Sequence, residues 1–489
     1  MQRLSNLEIS RLAANGLLAP GAARRRAEVG MVHFGIGAFH RAHQALYTEA
    51  ALQHSGGDWG ICGVSLRSAA VRDQLQPQDG WYCSVERLGA EVQYQLVGAV
   101  REVLVAPEDP GAVLERLADP AVSVVTLTVT EKGYCLDGKG VLDAAHPDII
   151  ADLNRPVVPA SLFGYLCAGL ALRRQRGGGG LSIISCDNLS HNGRLLSAAM
   201  QIFSAELDPE LARWIDDYCS FPETMVDKIV PATTPADLAA VAAHLQCHDE
   251  ATVVGEPFRQ WVIEDKFAGP VPPWNQVGAQ FVSDVAPFEA MKLRLLNASH
   301  SCIAYLGCLA GWDTVADAMA VPALRQVVGD LMQLEVTPNL EVPPGFDVNQ
   351  YQQQLLERFA NPSLQHRTAQ IAMDGSQKLP QRIMASLAGQ LGNGGSIERL
   401  CLVLAAWVLF SREAARKGTL DDPLAAELAA LYEQAGSQPE DYLRAILAWR
   451  SLVPAALANN ERLQRTLLAQ LIALHADVEA ALTATNRGS

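Results

Sequence analysis

Short apolar runs of strand length alternate with helical patterns through the first half of the chain and then nearly vanish, a pattern that few folds accommodate. Met31 to Gly35 (MVHFG), Trp59 to Leu66 (WGICGVSL), Val122 to Thr130 (VSVVTLTVT) and Leu181 to Cys186 (LSIISC) are such runs, mostly of β-branched or small residues. Runs apolar on both faces suit parallel strands covered from both sides. Between them, segments such as Arg41 to Gln53 and Ser161 to Arg176 repeat apolar residues at helical spacing. The alternation predicts a doubly wound α/β domain with helices on both sheet faces. From about Pro287 onward the chain is rich in Ala and Leu at helical spacing, which predicts a second, mainly α-helical domain. Arg173 to Gly180 (RRQRGGGG) reads as a flexible connection and Gly269 to Trp274 (GPVPPW) as a rigid one. The boundary falls near 285, giving domains of residues 1–285 and 286–489.

Charge narrows the partners. With 53 acidic and 38 basic residues the net charge is −15, which repels a polyanion, so no nucleic-acid partner is expected. The apolar run Leu400 to Phe410 is about half the length of a membrane-spanning segment and reads as a core helix. Glu8 and Arg11 interrupt the stretch that a signal peptide would need apolar. Ten cysteines stand at wide spacings without CxxC, HExxH or a Cys/His cluster, so neither a metal site nor a disulfide framework is expected. These features point to the cytoplasm. The oligomeric state is left open.

The first strand runs into Gly35-Ile36-Gly37-Ala38-Phe39-His40-Arg41, ahead of a helical pattern. A strand, a glycine turn and a helix start are the context in which backbone N–H groups hold a pyrophosphate, as in Rossmann-type domains. His40 stands where the third glycine of GxGxxG belongs, and a plain tight turn is the competing reading. The second strand ends Leu66-Arg67-Ser68, without the acidic residue that usually binds the ribose of NAD. Arg67 can pair with a 2′-phosphate, so NADP is possible beside NAD. Asn188 follows the fourth run, where open α/β sheets bind ligands, although Asp187 and Asn188 suit a helix cap equally well.

The densest polar cluster is Glu289 to His300 (EAMKLRLLNASH). On a regular helix His300 lies roughly 80° and Asn297 roughly 140° from Lys292. On one broad face turned toward a cleft between the domains, Lys292 can serve as base, Asn297 as amide donor and His300 as orienting group for a secondary alcohol. An amphipathic helix with a polar outer face is the bland alternative. Glu289, one turn earlier, is either a proton relay or a first-turn partner of the helix dipole.

Together these segments resemble the mannitol dehydrogenase family of long-chain polyol and sugar-acid dehydrogenases. The matching stretches are FGIGAFHRAHQALYT, SVVTLTVTEKGYC, SCDNLSHNG, FPETMVDKIVP, EPFRQWVIEDKF, KLRLLNASHS and HRTAQIAMDGSQKLPQR, in an order that spans roughly residues 30 to 460. The resemblance implies an NAD- or NADP-dependent, metal-independent oxidoreductase. Lys292 is then the general base, Asn188 and Asn297 polarise the reacting oxygen, and His300 binds and orients the substrate. Asp227 and Lys378 fall at positions that contact the polyol chain, and Gly35, Gly37 and Phe39 fall in the cofactor turn.

The mannitol-oxidising branch carries an arginine where this chain has Gln370, and SDGSSKFP is replaced by MDGSQKLP. HRTAQIAMDGSQKLPQR looks more like the fructuronate reductase (D-mannonate oxidoreductase) branch, where Arg367 can pair with a carboxylate. GICGVSLR is nearer the mannitol branch. The expected reaction is hydride transfer between nicotinamide and C2 of a sugar acid, D-mannonate/D-fructuronate, with mannitol 2-dehydrogenase or another polyol dehydrogenase as the alternative. A non-catalytic dinucleotide sensor is the rival of another class, and a thiol hydrolase using Cys186 and His300 is disfavoured because a buried thiol resists ionisation.

Overall fold

Five parallel strands, β1 (Val29–Phe34), β2 (Gly60–Ser65), β3 (Val100–Val105), β4 (Val124–Leu127) and β5 (Ser182–Ser185), pair in the order β3-β2-β1-β4-β5. This is the strand order of a Rossmann-type sheet, whose direction of winding reverses beside β1. The structure, a computed structural model, describes residues 1–14, 27–156, 158–436, 438–450 and 452–487. It divides into two compact units, Met1–Ala286 and Pro287–Ser489.

Every residue of β2, β4 and β5 is buried, which is why these segments read as continuous apolar runs. One sheet face packs Val32, Phe34, Val125 and Ile183 against Leu166 and Leu170 of the helix Leu162–Gln175. The other packs Met31, Val124 and Ile184 with Leu46, Leu52 and Trp261. The helix Leu162–Gln175 begins where Ser161 Oγ accepts the Gly164 N–H at 3.1 Å.

Two expectations change. The helix expected over Arg41 to Gln53 is two helices, Ala38–Ala42 and Gln44–Ser55, broken where His43 leaves helical geometry (φ −127°, ψ −86°). The break seats the His43 ring between Tyr47 and Trp261, with Nε2 against Gln260 O at 2.9 Å. Further strands also form that no apolar run announces. β3 is one, and the antiparallel pair Tyr82–Leu88 and Glu91–Val97 is another, both partly exposed and interrupted by charged or polar residues.

The second unit is built of helices. Its apolar run lies in the helix Glu398–Lys417, buried along most of its length and packed on Glu461–Ala476. The buried Glu335 carboxylate accepts the Arg399 and Leu400 N–H groups at 3.0 and 2.9 Å, which caps this helix. Among the described residues no helix is long and apolar enough to cross a membrane.

Candidate active site

The turn after β1 is built by close approach. Gly35 has φ +88°, its N–H donates to Val64 O at 2.9 Å, and a β-carbon there would collide with the carbonyl oxygen of Thr128 beyond β4. Only glycine fits. At Gly37 a β-carbon would have no neighbour nearer than Gly35 O at 3.9 Å, so this side of the turn is open. The turn lies at the carboxyl end of β1, between β2 and β4, where open α/β sheets hold ligands. A tight turn with one open glycine flank, entering a helix, fits the pyrophosphate of a dinucleotide.

His40 takes the third glycine's place by packing. It is fully buried and stacks on His33 of β1, with ring centroids 3.4 Å apart and 18° between planes. His33 in turn contacts Thr126 Oγ1 at 2.7 Å and Thr128 Oγ1 at 2.9 Å. Burial pushes His33 down to about 3. Burial, then the fields of His33, Arg41 and His43, hold His40 well below its ordinary value. Phe39 stacks on His43 at 5.2 Å, and His43 is also pushed down to about 3 by burial. The turn is underlain by neutral imidazoles.

Arg67 is exposed just past the end of β2, the strand beside β1. Asn188 is exposed just past β5. Neither Asn188 nor Asp187 caps the next helix, which starts at Asn192 behind His191. The Asp187 carboxylate is engaged elsewhere, accepting from Val129 N–H at 3.0 Å, Thr130 N–H at 2.9 Å and the Tyr134 hydroxyl at 2.8 Å. It ties the loop after β4 to the end of β5. Asp227, buried at the end of the strand Thr224–Asp227, acts electrostatically on His43. Beside it, Lys228 Nζ is 2.6 Å from Glu86 Oε1.

In the second unit the segment carrying Lys292 is helical with one widened stretch. Ala286–Met291 and Ala298–Ala310 are α-helical, and Lys292–Asn297 between them is a π-helix. A π turn inserts an extra residue, so the 100° steps of a regular helix do not hold here and the angles derived from them are superseded. Such turns inside α-helices are frequent at functional sites. Another π stretch, Pro380–Met384, packs against it, and its Arg382 Nη1 donates to Asn297 O at 3.3 Å and Ser301 Oγ at 3.0 Å.

His300, in the next turn, is buried with Nε2 lacking a hydrogen-bond partner. Its ring lies 4.7 Å from Phe359 and 5.6 Å from the nearly perpendicular His366. Burial, then the fields of His366, Arg382, Arg358 and Lys292, hold its pKa well below the ordinary value. It is a neutral ring. Lys292 is half-buried and close enough for its charge to act on His300; Asn297 is buried, and Glu289 is half-buried one turn earlier. The structure therefore brings Lys292, Asn297 and His300 into one neighbourhood.

The remaining predicted residues come from the segment that includes Arg382. Lys378 Nζ donates to Met373 O at 2.6 Å and lies 3.4 Å from both Ile371 O and Asp374 Oδ2, so it fastens the loop before its own helix. Arg367 is exposed beside His366, and Gln370 is exposed as well. Cys186 is buried, and burial followed by the Asp187 charge pushes its thiol well above the ordinary value, which removes it as a nucleophile. Asp187, which ties the loop after β4 to the end of β5 in the first unit, and Arg382, which holds Asn297 in the second, are contacts that sequence reasoning missed. Arg382 ends the stretch HRTAQIAMDGSQKLPQR, but no spacing rule connects it to Asn297, 85 positions away.

Comparison with known proteins gives matches along most of the chain. A model of the mannitol dehydrogenase Rossmann domain matches residues 29–276, and one of the mannitol dehydrogenase C-terminal domain matches residues 284–474. D-mannonate oxidoreductase of Escherichia coli K12 is 43% identical over 465 residues, 93% of this chain and 93% of that protein. Mannitol 2-dehydrogenase of Aspergillus terreus is 40% identical over 426 residues, 85% of each. The structure of Pseudomonas fluorescens mannitol 2-dehydrogenase, a ternary complex with NAD and D-mannitol, has a TM-score of 0.84 and 35% identity. It covers 100% of this chain and 99% of its own.

Proposed function

The chain belongs to the mannitol dehydrogenase family of oxidoreductases, and from that premise we propose that it is an NAD(P)-dependent dehydrogenase acting at C2 of a sugar acid or polyol. The observation that carries the assignment of roles is the turn that gathers Lys292, Asn297 and a neutral His300. The glycine turn at Gly35 and Gly37, with Phe39 beside it, would hold the dinucleotide, and Arg67 would face its ribose. Bound nicotinamide supplies the hydride acceptor in alcohol oxidation.

Lys292 takes the hydroxyl proton as the C–H bond is lost, and in the reverse direction gives it back. Asn297 and Asn188 donate amide hydrogens to the oxygen as it gains charge. His300 cannot hold a proton near neutral pH, so it binds and orients and does not serve as the acid. Glu289 relays the proton from Lys292 toward water, while Asp227 and Lys378 serve the substrate chain. HRTAQIAMDGSQKLPQR, with Gln370 and Arg367, supports a sugar acid of the mannonate/fructuronate type as substrate, and GICGVSLR supports a hexitol. Ten free thiols among the described residues, most of them buried, support a cytoplasmic setting.

The test is the pH profile of alcohol oxidation. An ordinary lysine, with pKa near 10.4, is protonated at neutral pH, so oxidation should rise with pH through one ionisation. Lys292→Ala should remove that ionisation and slow oxidation by about a hundredfold or more, with dinucleotide binding retained. Near-normal turnover with an unchanged profile would place the proton acceptor elsewhere.

A further inference from the structure

A sugar acid brings a charge that must be met inside the site. Among the described residues, most cations withdrawn from solvent are already satisfied. Arg399 has Asp330 at 2.9 Å and Glu335 at 3.4 Å, and Lys228 has Glu86 at 2.6 Å. Arg173 has no carboxylate but spends both Nε and Nη1 on backbone carbonyls. Arg382 differs from all three. It makes no ion pair within 4.0 Å, and both of its hydrogen bonds, to Asn297 O and Ser301 Oγ, leave from Nη1. Its Nε and Nη2 edge is left for another acceptor, and that edge is the fork that matches a carboxylate.

The surroundings repeat the pattern. The Tyr305 hydroxyl is buried without a hydrogen-bond partner and is close enough to act electrostatically on Arg382. His300 Nε2 is likewise unpartnered. The carboxylate of Asp374, which also acts on Arg382, is held 3.4 Å from Lys378. Burial pushes the guanidinium down to about 10, so it still carries its charge at neutral pH. Its anchors, Asn297 and Ser301, lie one and two turns beyond Lys292. A group there is displaced along the helix from the proton acceptor, as the far end of a six-carbon chain would be.

We propose that Arg382 receives the carboxylate of a sugar-acid substrate through its Nε and Nη2 edge, with the Tyr305 hydroxyl as a further donor, and so sets the preference for sugar acids over polyols. The assignment rests on the dehydrogenase reading and deepens it. It moves charge recognition from the exposed Arg367 to a half-buried cation, partly withdrawn from water, where a charged hydrogen bond is stronger. Arg382 also holds the turn bearing Asn297, so its loss will slow every substrate to some degree; the ratio between substrates carries the information.

The test compares kcat/KM for D-mannonate and D-mannitol, which differ by a carboxylate against a hydroxymethyl group, in the full-length wild type and in Arg382→Gln, Arg382→Lys and Arg367→Gln. Arg382→Gln should lower the mannonate value by roughly tenfold to a hundredfold beyond its effect on mannitol, mainly through KM. Arg382→Lys, which keeps the charge and loses the fork, should fall between, and it carries the comparison if circular dichroism shows Arg382→Gln misfolded. Equal loss on both substrates, or a ratio that shifts with Arg367→Gln instead, overturns the proposal. A wild type that oxidises mannitol or another hexitol but not mannonate overturns it while the dehydrogenase reading stands, and one that oxidises no hexonate or hexitol overturns both.

Discussion

Around the glycine turn, His33, His40 and His43 are buried as neutral rings, and this has a pH signature. Their folded pKa values lie below the unfolded value near 6.5, so on acidification the unfolded chain takes up protons first. Their contribution to stability is complete above about pH 6.5 and is lost as pH falls toward about 3. Each histidine should contribute a slope of about 1.4 kcal/mol per pH unit in that window. In urea unfolding, His33→Asn should therefore lose about 2 kcal/mol less than wild type between pH 7 and 5. An equal loss would mean that His33 is not held neutral. At this scale the sequence is partly legible. Gly35 is readable because only a positive φ explains a glycine there, whereas His40 reads as a defect in a motif until its stacking on His33 is seen.

At the scale of elements, the helix bearing Lys292 is legible as a helix and illegible as a π turn. A π stretch and an α stretch share the same residue preferences, and what selects the wider turn is contact from elsewhere. Arg382 donates to Asn297 O, and Arg294 donates to Asn339 O at 3.2 Å. The turn fixes how Lys292 is set relative to Asn297 and His300. Deleting Leu293, which removes one residue of the extra turn, should restore a regular helix and rotate Lys292 away by about 100°. The expected result is a fall of about a hundredfold or more in alcohol oxidation with helical circular dichroism preserved. Activity close to wild type would show that the π turn has no part in placing Lys292 for the reaction. The break at His43 was illegible for a similar reason, since Gln260 O and Trp261, which seat its ring, lie far away in sequence.

At the scale of the whole molecule, the change from strand-and-helix alternation to helix alone is the most legible property. Both faces of β2, β4 and β5 are covered, so their burial is written into consecutive residues. β3 escapes such reading because it lies at the sheet edge, and the four inner residues of its sequence VREVLV are exposed or only half-buried, with the charged Arg101 and Glu102 among them. The family follows from long motifs kept in order along both units, but the substrate does not, because it rests on a few side chains within one stretch of the second. Cofactor choice is similar: Arg67 stands where an acidic residue would enforce NAD, so preference for NAD over NADP should stay below about a thousandfold. The most direct measurement is the formation of reduced nicotinamide by the purified chain, supplied with D-mannonate, D-mannitol and other hexonates and hexitols, each with NAD and with NADP. The account predicts oxidation of at least one of these, with D-mannonate favoured and neither cofactor excluded. No reduced nicotinamide from any pairing would contradict it.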